Sequence, residues 1–177
     1  MISDAKRFEP DNSGYSSAYF LTGSNLQVNE KDLDSLEFQA RSTKQNCRIC
    51  VFRRVEDPLH AMVIAQHRGM DSRPRLLAAK PKIFSPLRGA LLLITLDKSG
   101  DAITRHLLRP GGNVAHYVPS GVPYIDLPVD DVTIHFEITV GPHDRVADRN
   151  FPKFPWDEGR VSRQAWRDAQ LRLIEQM

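Results

Sequence analysis

Apolar and polar positions alternate with a period of two along the middle of the chain, from about residue 46 to residue 140. Successive side chains of a strand point to opposite faces of a sheet, so this period predicts strands. Turn residues divide the region into short pieces. The predicted strands are 48–54, 60–67, 89–97, 102–109, 115–118, 124–127 and 131–140. Many short strands with few helices predict an all-β sandwich or barrel.

The two ends of the chain have other patterns. Residues 29–40 predict a helix capped by Asn29, and residues 161–177 predict an amphipathic helix with Ala165, Ala169 and Leu173 on one face. The C-terminal helix either packs on its own domain or forms a dimer contact. The predicted organisation is an arm over 1–28, a barrel with an N-terminal helix and an aromatic-proline tail over 29–160, and the C-terminal helix. The tail is marked by Pro142, Phe151, Pro152, Phe154, Pro155 and Trp156.

Composition limits the classes of function. The 177 residues are 41% hydrophobic and 26% charged, which is ordinary for a soluble globular domain. A net charge of +2 is too small to indicate nucleic acid or a membrane surface. No apolar run reaches the roughly 18 residues needed to cross a bilayer, and the N-terminus lacks an apolar signal core. We expect a cytoplasmic protein with no nucleic-acid and no membrane partner.

The two cysteines, Cys47 and Cys50, have the spacing of a redox pair or of half a zinc site. No second pair follows, and no His lies within a few residues of either. The surrounding residues read as a strand, on which positions i and i+3 point to opposite faces. The sequence therefore predicts ordinary reduced thiols, one facing the core and one facing out.

A series of short motifs, none specific alone, has a recognisable order. The motifs lie at residues 48–50 (Arg-Ile-Cys), 57–62 (Asp-Pro-Leu-His-Ala-Met), 87–89 (Leu-Arg-Gly), 127–128 (Leu-Pro), 137–142 (Glu-Ile-Thr-Val-Gly-Pro) and 154–156 (Phe-Pro-Trp). In this order the chain resembles the WbuC-type cupin-fold family over roughly residues 30 to 158. The resemblance implies a double-stranded β-helix, a jelly-roll barrel with short helices at both ends. It also implies a homodimer and a link to surface-polysaccharide metabolism.

The chain departs from that family where a metal would bind. Metal-binding members would have two His at the positions of Arg75 and Leu77, a Glu at Lys82 and a third His at Tyr124, and Phe52 stands where many relatives have another pocket His. A cation in place of a carboxylate repels a divalent metal, and Leu has no lone pair to offer. The resemblance therefore implies a degenerate member with no metal and no cofactor.

The substituted positions define a candidate ligand site. Arg75, Lys82 and Tyr124 could hold a carboxylate or phosphate, and nearby positive charge would favour the Tyr124 phenolate. We expect a small-molecule module for an anionic or sugar-like ligand, or an assembly module. The alternative is a metal-independent sugar-nucleotide isomerase or epimerase that uses Tyr124 with His60 or His116. In the simplest structural interpretation, Arg75 and Lys82 instead reach solvent from a rebuilt loop and Tyr124 fills space.

One further pair, His135 and Glu137, shares a strand face. Because both side chains are polar, the sequence predicts that they lie exposed on the outer face of that strand.

Overall fold

A computed structural model describes residues 7–11, 16–22, 27–70, 72–144, 148, 154, 156–157 and 159–176. Within these residues the chain forms ten strands and two α-helices. The strands are β1 (Phe8–Asp11), β2 (Ser17–Leu21), β3 (Cys47–Cys50), β4 (Leu59–His67), β5 (Lys82–Arg88), β6 (Leu91–Leu96), β7 (Ala102–Leu108), β8 (His116–Val118), β9 (Tyr124–Pro128) and β10 (Val132–Val140). The helices are α1 (Glu30–Thr43) and α2 (Arg163–Arg172), and a 3₁₀ turn, Leu173–Gln176, follows α2.

The strands form two sheets in the order of a jelly roll. The larger sheet runs β1-β2-β3-β4-β10-β5-β8, and the smaller runs β7-β6-β9. A backbone bridge between Arg75 and Tyr124 adds a short fourth segment beside β9. The barrel consists of eight strands, which can be numbered 1 to 8 along the chain: β4 is strand 1, the segment at Arg75 is strand 2, and β5 to β10 are strands 3 to 8. In this numbering the two sheets have the strand orders 1-8-3-6 and 2-7-4-5, which is the order of a jelly roll built from two Greek keys. The predicted all-β, cupin-type jelly roll is confirmed.

Helix α1 covers the outer face of the larger sheet. The Asn29 side chain accepts from the backbone of Lys31 and Asp32, and the Asp32 carboxylate accepts from the Asn29 N–H, so the N-terminus is closed by a capping box. The predicted cap is present. The helix buries Leu33, Leu36 and Ala40 against Ile49, Val63, Ala65, Val132 and Ile134 of the sheet.

The N-terminal arm contributes two strands to the larger sheet. β1 pairs antiparallel with β2, and β2 pairs parallel with β3. Phe8, Tyr19 and Leu21 are buried in the cluster beneath α1, and this burial of apolar surface holds the two strands on the sheet. The Tyr19 hydroxyl donates to Gln39 Oε1 at 2.9 Å. The sequence predicts an arm over residues 1–28; residues 1–6, 12–15 and 23–26 of it lie outside the described part of the chain.

Helix α2 packs on its own barrel, one of the two predicted alternatives. The outer face of the smaller sheet buries Leu92, Ile94, Ile125 and Leu127 against the tail and helix residues Phe154, Trp156, Trp166 and Leu171. Ser162 caps the helix, and Arg105 donates to Gln170 at 2.8 Å. The buried helix face differs from the predicted one, since Leu173 is exposed. Phe151, Pro152 and Pro155 of the tail lie outside the described residues.

Both cysteines are free and buried. Cys47 lies beneath α1, and Cys50 packs with Phe52 on the opposite sheet face. The prediction of opposite faces is confirmed, but the expectation that one thiol faces out is wrong, because both faces of β3 are covered. Burial raises the pKa of Cys47 to about 12 and that of Cys50 to about 11, so both stay protonated at neutral pH.

Candidate functional site

Lys82 begins strand β5 and points into the barrel. Its side chain is 8% exposed, and its ammonium forms an ion pair with Glu137 Oε1. The interpretation of this segment as a rebuilt loop with Lys82 in solvent is therefore wrong. Lys82 and Phe84 lie on the face of β5 that points into the barrel, and the alternate residue, Ile83, lies on the outer face.

Glu137 and His135 lie inside the barrel on β10. They are 2% and 1% exposed, so the prediction that they lie on an exposed outer face is wrong. The central strand β10 has both faces covered, and its apolar residues Ile134 and Phe136 point towards α1. The polar residues that alternate with them, His135 and Glu137, therefore point into the barrel. His135 Nε2 lies 3.9 Å from Glu137 Oε2.

Arg75 and Tyr124 meet through their backbones. They exchange two hydrogen bonds, of 2.8 and 2.9 Å, which fix Tyr124 at the start of β9. The Arg75 guanidinium lies 3.4 Å from Asp126 Oδ1. Its side chain is 37% exposed, whereas that of Asp126 is 3% exposed. Arg75 therefore connects the barrel interior with solvent.

The positions that the resemblance assigns to metal ligands converge in space. Lys82 Nζ lies 5.9 Å from the centroid of the Tyr124 ring and 5.8 Å from that of Phe84. Leu77 packs with Tyr124 and Phe84 in the apolar cluster of the interior. Together with Asp126, His135 and Glu137, these side chains form what we call the interior site. Its members are Arg75, Leu77, Lys82, Phe84, Tyr124, Asp126, His135 and Glu137.

The buried pair Lys82–Glu137 is held in its charged form. Burial opposes both charges, but the Glu137 carboxylate, with Tyr124, outweighs burial and raises the pKa of Lys82. Lys82, with the neighbouring His135, likewise outweighs burial and lowers the pKa of Glu137 well below its usual range. Lys82 therefore stays an ammonium at neutral pH and is not a free amine nucleophile.

Tyr124 is a neutral phenol. Burial raises its pKa, and the opposing influence of Lys82 and Arg75 is smaller. The expectation that neighbouring cations would favour its phenolate is therefore wrong, because desolvation of the anion dominates. The nearby carboxylate of Asp126, despite the cost of burial, raises the pKa of Arg75 further, so the guanidinium is permanently charged.

The rings of His60 and His116, the two predicted candidates for a base, stack on rings other than Tyr124. His116 also pairs in register with Phe84, whose ring contacts Tyr124. His60 stacks on Phe52 at 4.0 Å, and burial lowers its pKa. Thr139 lies between His60 and Lys82 in the strand register. Because adjacent strands are about 4.8 Å apart, the two backbones are separated by ~10 Å. His116 stacks on His106 at 4.1 Å, and burial, followed by His106, lowers its pKa.

Several buried polar atoms of the interior have no hydrogen-bond partner within the described part of the chain. They are Tyr124 Oη, Asp126 Oδ1, both ring nitrogens of His135, Glu137 Oε2 and the neighbouring Gln66 Oε1. Gln66 belongs with them because its Nε2 donates to the Asp126 carbonyl at 3.3 Å. Buried polar groups are almost always paired in proteins, so this concentration marks a place built for hydrogen bonding.

The interior site does not fit a divalent metal. The ammonium of Lys82 already occupies Glu137, and the guanidinium of Arg75 faces Asp126. Among the described residues, no three His, Cys, Asp or Glu side chains group as metal ligands. Two cations next to the carboxylates leave no net negative charge with which to hold a third.

A surface cavity of about 360 Å³ lies elsewhere, beside α2. It is lined by Arg68, Val129, Asp168, Leu171, Arg172 and Ile174. It contains none of the residues that the sequence predicted as functional, and none of the interior site. No helix among the described residues has both the length and the apolarity to traverse a bilayer.

Neither a protein-family model nor a curated protein sequence matches the chain. Among solved structures it is similar to TT1209 from Thermus thermophilus, with 18% identity over 64% of this chain and 97% of that one and a TM-score of 0.48. It is similar to KdgF from Halomonas sp., with 17% identity, 56% and 82% coverage and a TM-score of 0.45. It is also similar to CapF, solved with the inhibitor 3-isopropenyl-tropolone, with 14% identity over 58% of this chain and 30% of that one and a TM-score of 0.49. The fold assignment rests on the strand order of the chain itself.

Proposed function

We propose that this protein is a metal-free jelly-roll module that binds a small polar molecule, anionic or sugar-like, at the interior site. The observation that carries the proposal is the group of unpartnered buried atoms around Tyr124, Asp126 and Glu137. If the barrel served only as a scaffold, apolar residues at the interior site would make it at least as stable. Buried ion pairs rarely stabilise a protein more than well-packed hydrophobic residues of similar volume do. Unpaired buried atoms are a further cost that a bound molecule would remove.

Ligand-induced thermal stabilisation tests this proposal. Binding to the native state raises its stability by about 2.7 kcal/mol at a hundredfold excess of ligand over Kd. A panel of monosaccharides, sugar acids, sugar nucleotides and inorganic phosphate should include at least one compound that raises Tm. Tyr124→Phe should weaken the binding of that compound about tenfold, because it removes one buried hydroxyl that would hydrogen-bond the ligand. A tenfold change in affinity corresponds to ~1.4 kcal/mol.

Tyr117→Phe is the matched control. This tyrosine is 55% exposed on the outer face of β8, so its variant should leave the ligand's effect unchanged. The absence of any stabilising compound, or equal weakening by both tyrosine variants, would reject binding at the interior site and leave the assembly role.

We also propose that the protein is a homodimer. On the outer face of the larger sheet, beside the part covered by α1, Ile83 pairs in register with Tyr117 and Ile138, and Leu59 pairs with Val140. Contiguous apolar surface of this kind is typical of protein interfaces. Light scattering should give a dimeric mass for the wild type and a monomeric mass for Tyr117→Glu. Ile103→Glu, at an exposed position of β7, is the control, and a monomeric wild type would reject the dimer.

A metal-independent isomerase or epimerase of sugar nucleotides is the second candidate. Tyr124 is protonated and so is in the form that can donate a proton, although its raised pKa makes it a weaker acid than an exposed tyrosine. His60 stacks on Phe52 and His116 on His106, whereas His135 contacts the same Phe84 ring as Tyr124. His135 is therefore the base in this candidate. Exchange of a sugar C–H with D₂O, followed by NMR, should then depend on Tyr124 and His135 and not on His60. No exchange would reject this candidate. The link to surface-polysaccharide metabolism stays a prediction from the resemblance.

A further inference from the structure

We infer that the interior site takes a neutral, hydroxyl-rich molecule of the sugar or polyol class and discriminates against anions. This inference rests on the proposed function, because it names the ligand class of the same site. Two independent features of the site carry it: the balance of its charges, and the kind of hydrogen-bonding atom that is left without a partner.

The charges of the interior site cancel. Arg75 faces the Asp126 carboxylate at 3.4 Å, and the Lys82 ammonium contacts the Glu137 carboxylate. Each cation thus has its own counter-ion, and the pKa values of Lys82 and Glu137 are shifted in the directions that keep both charged. A carboxylate or phosphate from outside would therefore have to compete with Glu137 for Lys82 and with Asp126 for Arg75.

An entering anion would meet repulsion as well as attraction. It would have to give up its hydration, and its attraction to Lys82 and Arg75 would be offset by Glu137 and Asp126 at similar distances. Burying an ion without a net opposite charge is strongly unfavourable. A neutral molecule avoids this desolvation and leaves both ion pairs intact.

The unpartnered atoms of the interior include donors as well as acceptors. A histidine ring carries at least one N–H and the Tyr124 hydroxyl can donate, whereas the other unpartnered atoms are oxygens. Asp126 Oδ1, Glu137 Oε2 and Gln66 Oε1 can only accept hydrogen bonds. A carboxylate or a fully ionised phosphate has no proton to donate to them. A hydroxyl group donates one hydrogen bond and accepts others, so a molecule with several hydroxyls can serve these oxygens and Tyr124 Oη together.

Apolar surface completes the site. Phe84 and Leu77 line the interior beside Tyr124, and ligand sites of this kind combine apolar walls with a few placed polar groups. The Arg75 side chain, partly exposed, marks the side from which a ligand would enter. This combination of groups matches the chemistry of a polyol, which presents both apolar C–H faces and hydroxyl groups.

Isothermal titration with paired probes tests the ligand class. The neutral probes are methyl glycosides of the common hexoses and myo-inositol, and the anionic probes are the matching hexuronates and inorganic phosphate. We expect the wild type to bind at least one neutral probe at least tenfold more tightly than any anionic probe. Equal or tighter binding of a hexuronate or of phosphate would overturn the inference and leave the proposed function standing, whereas no binding of any probe would count against both.

Removing one internal carboxylate should reverse the preference. Glu137→Gln leaves the Lys82 charge without its partner, so we expect at least tenfold weaker binding of the neutral probe and at least tenfold tighter binding of the anionic ones. Asp126→Asn makes the same test beside Arg75 if the first variant does not fold, as judged by circular dichroism. Glu56→Gln, at an exposed position before β4, is the matched control. An unchanged preference in both folded interior variants would overturn the inference.

Discussion

Over residues 132–137 the two faces of strand β10 are both covered, yet they are built in opposite ways. Its outer residues, Ile134 among them, pack with α1 in an apolar cluster. Its inner residues, His135 and Glu137, face Lys82 and a set of polar atoms inside the barrel. One nine-residue strand therefore belongs to a hydrophobic core on one side and to an ionic, hydrogen-bonding interior on the other.

The difference separates what holds the fold from what is available for chemistry. The outer face gains stability from buried area, which is not directional and tolerates similar apolar residues. The inner face depends on particular charge pairs. Removing one member of a pair leaves the other as an unpaired buried charge, which lowers the stability of the fold. Substitutions on the two faces should consequently follow different rules.

The largest expected effect comes from breaking the interior ion pair. Lys82→Met or Glu137→Leu alone should lower the free energy of unfolding by about 3–5 kcal/mol, because each leaves a buried charge unpaired. The double variant should recover most of that loss, since two apolar side chains suit a buried site. Urea unfolding measures all three.

Ile134→Ala is the comparison on the outer face. It should cost about 2–5 kcal/mol through a cavity beneath α1, with no rescue by the interior substitutions. If the double variant were as unstable as the sum of the single ones, the pair would not act as a coupled unit, and the contrast between the faces would fail.

A smaller effect should appear in acid. Because the folded pKa of Glu137 is depressed, its contribution to stability is present above its unfolded value of about 4.3 and is lost as pH falls through the folded value. Lys82 has a raised pKa, so its contribution is present below about 10.4 and is lost only above that value.

The wild type should therefore lose more unfolding free energy between pH 6 and pH 3 than Glu137→Gln does. The difference should exceed ~1 kcal/mol, given that one pKa unit corresponds to about 1.4 kcal/mol. Glu56→Gln, at an exposed position, should keep the wild-type acid dependence. Parallel pH profiles for wild type and Glu137→Gln would contradict the electrostatic assignment.

The smallest effect distinguishes two buried tyrosines. Tyr19 donates to Gln39 in the outer cluster, so Tyr19→Phe should cost about 1 kcal/mol. The Tyr124 hydroxyl has no partner among the described residues, so Tyr124→Phe should change stability by less than about 0.5 kcal/mol in the absence of ligand. Thermal unfolding of both variants measures the contrast, and a large loss for Tyr124→Phe would mean that its hydroxyl is already satisfied in the free protein.

The jelly roll, the α1 cap and the candidate positions Arg75, Lys82 and Tyr124 could be predicted from the sequence, because each depends on local chemistry or on the order of motifs. It did not reach Glu137 and Asp126 as their partners. Asp126 had no signal beyond its place in a predicted strand. For Glu137 the available signal was the unbroken apolar series on alternate positions of β10, which marks one covered face and leaves the other undetermined.

The sequence by itself determined which residues alternate, where the chain turns and which ligand-type side chains are missing, since these depend on neighbours along the chain. Only the tertiary structure decided which face of each strand points into the barrel. A period of two is the same whether polar residues face water or an interior, and α1 and the smaller sheet settle the choice by covering opposite faces. For that reason Lys82 and Glu137, 55 residues apart, became partners inside the barrel.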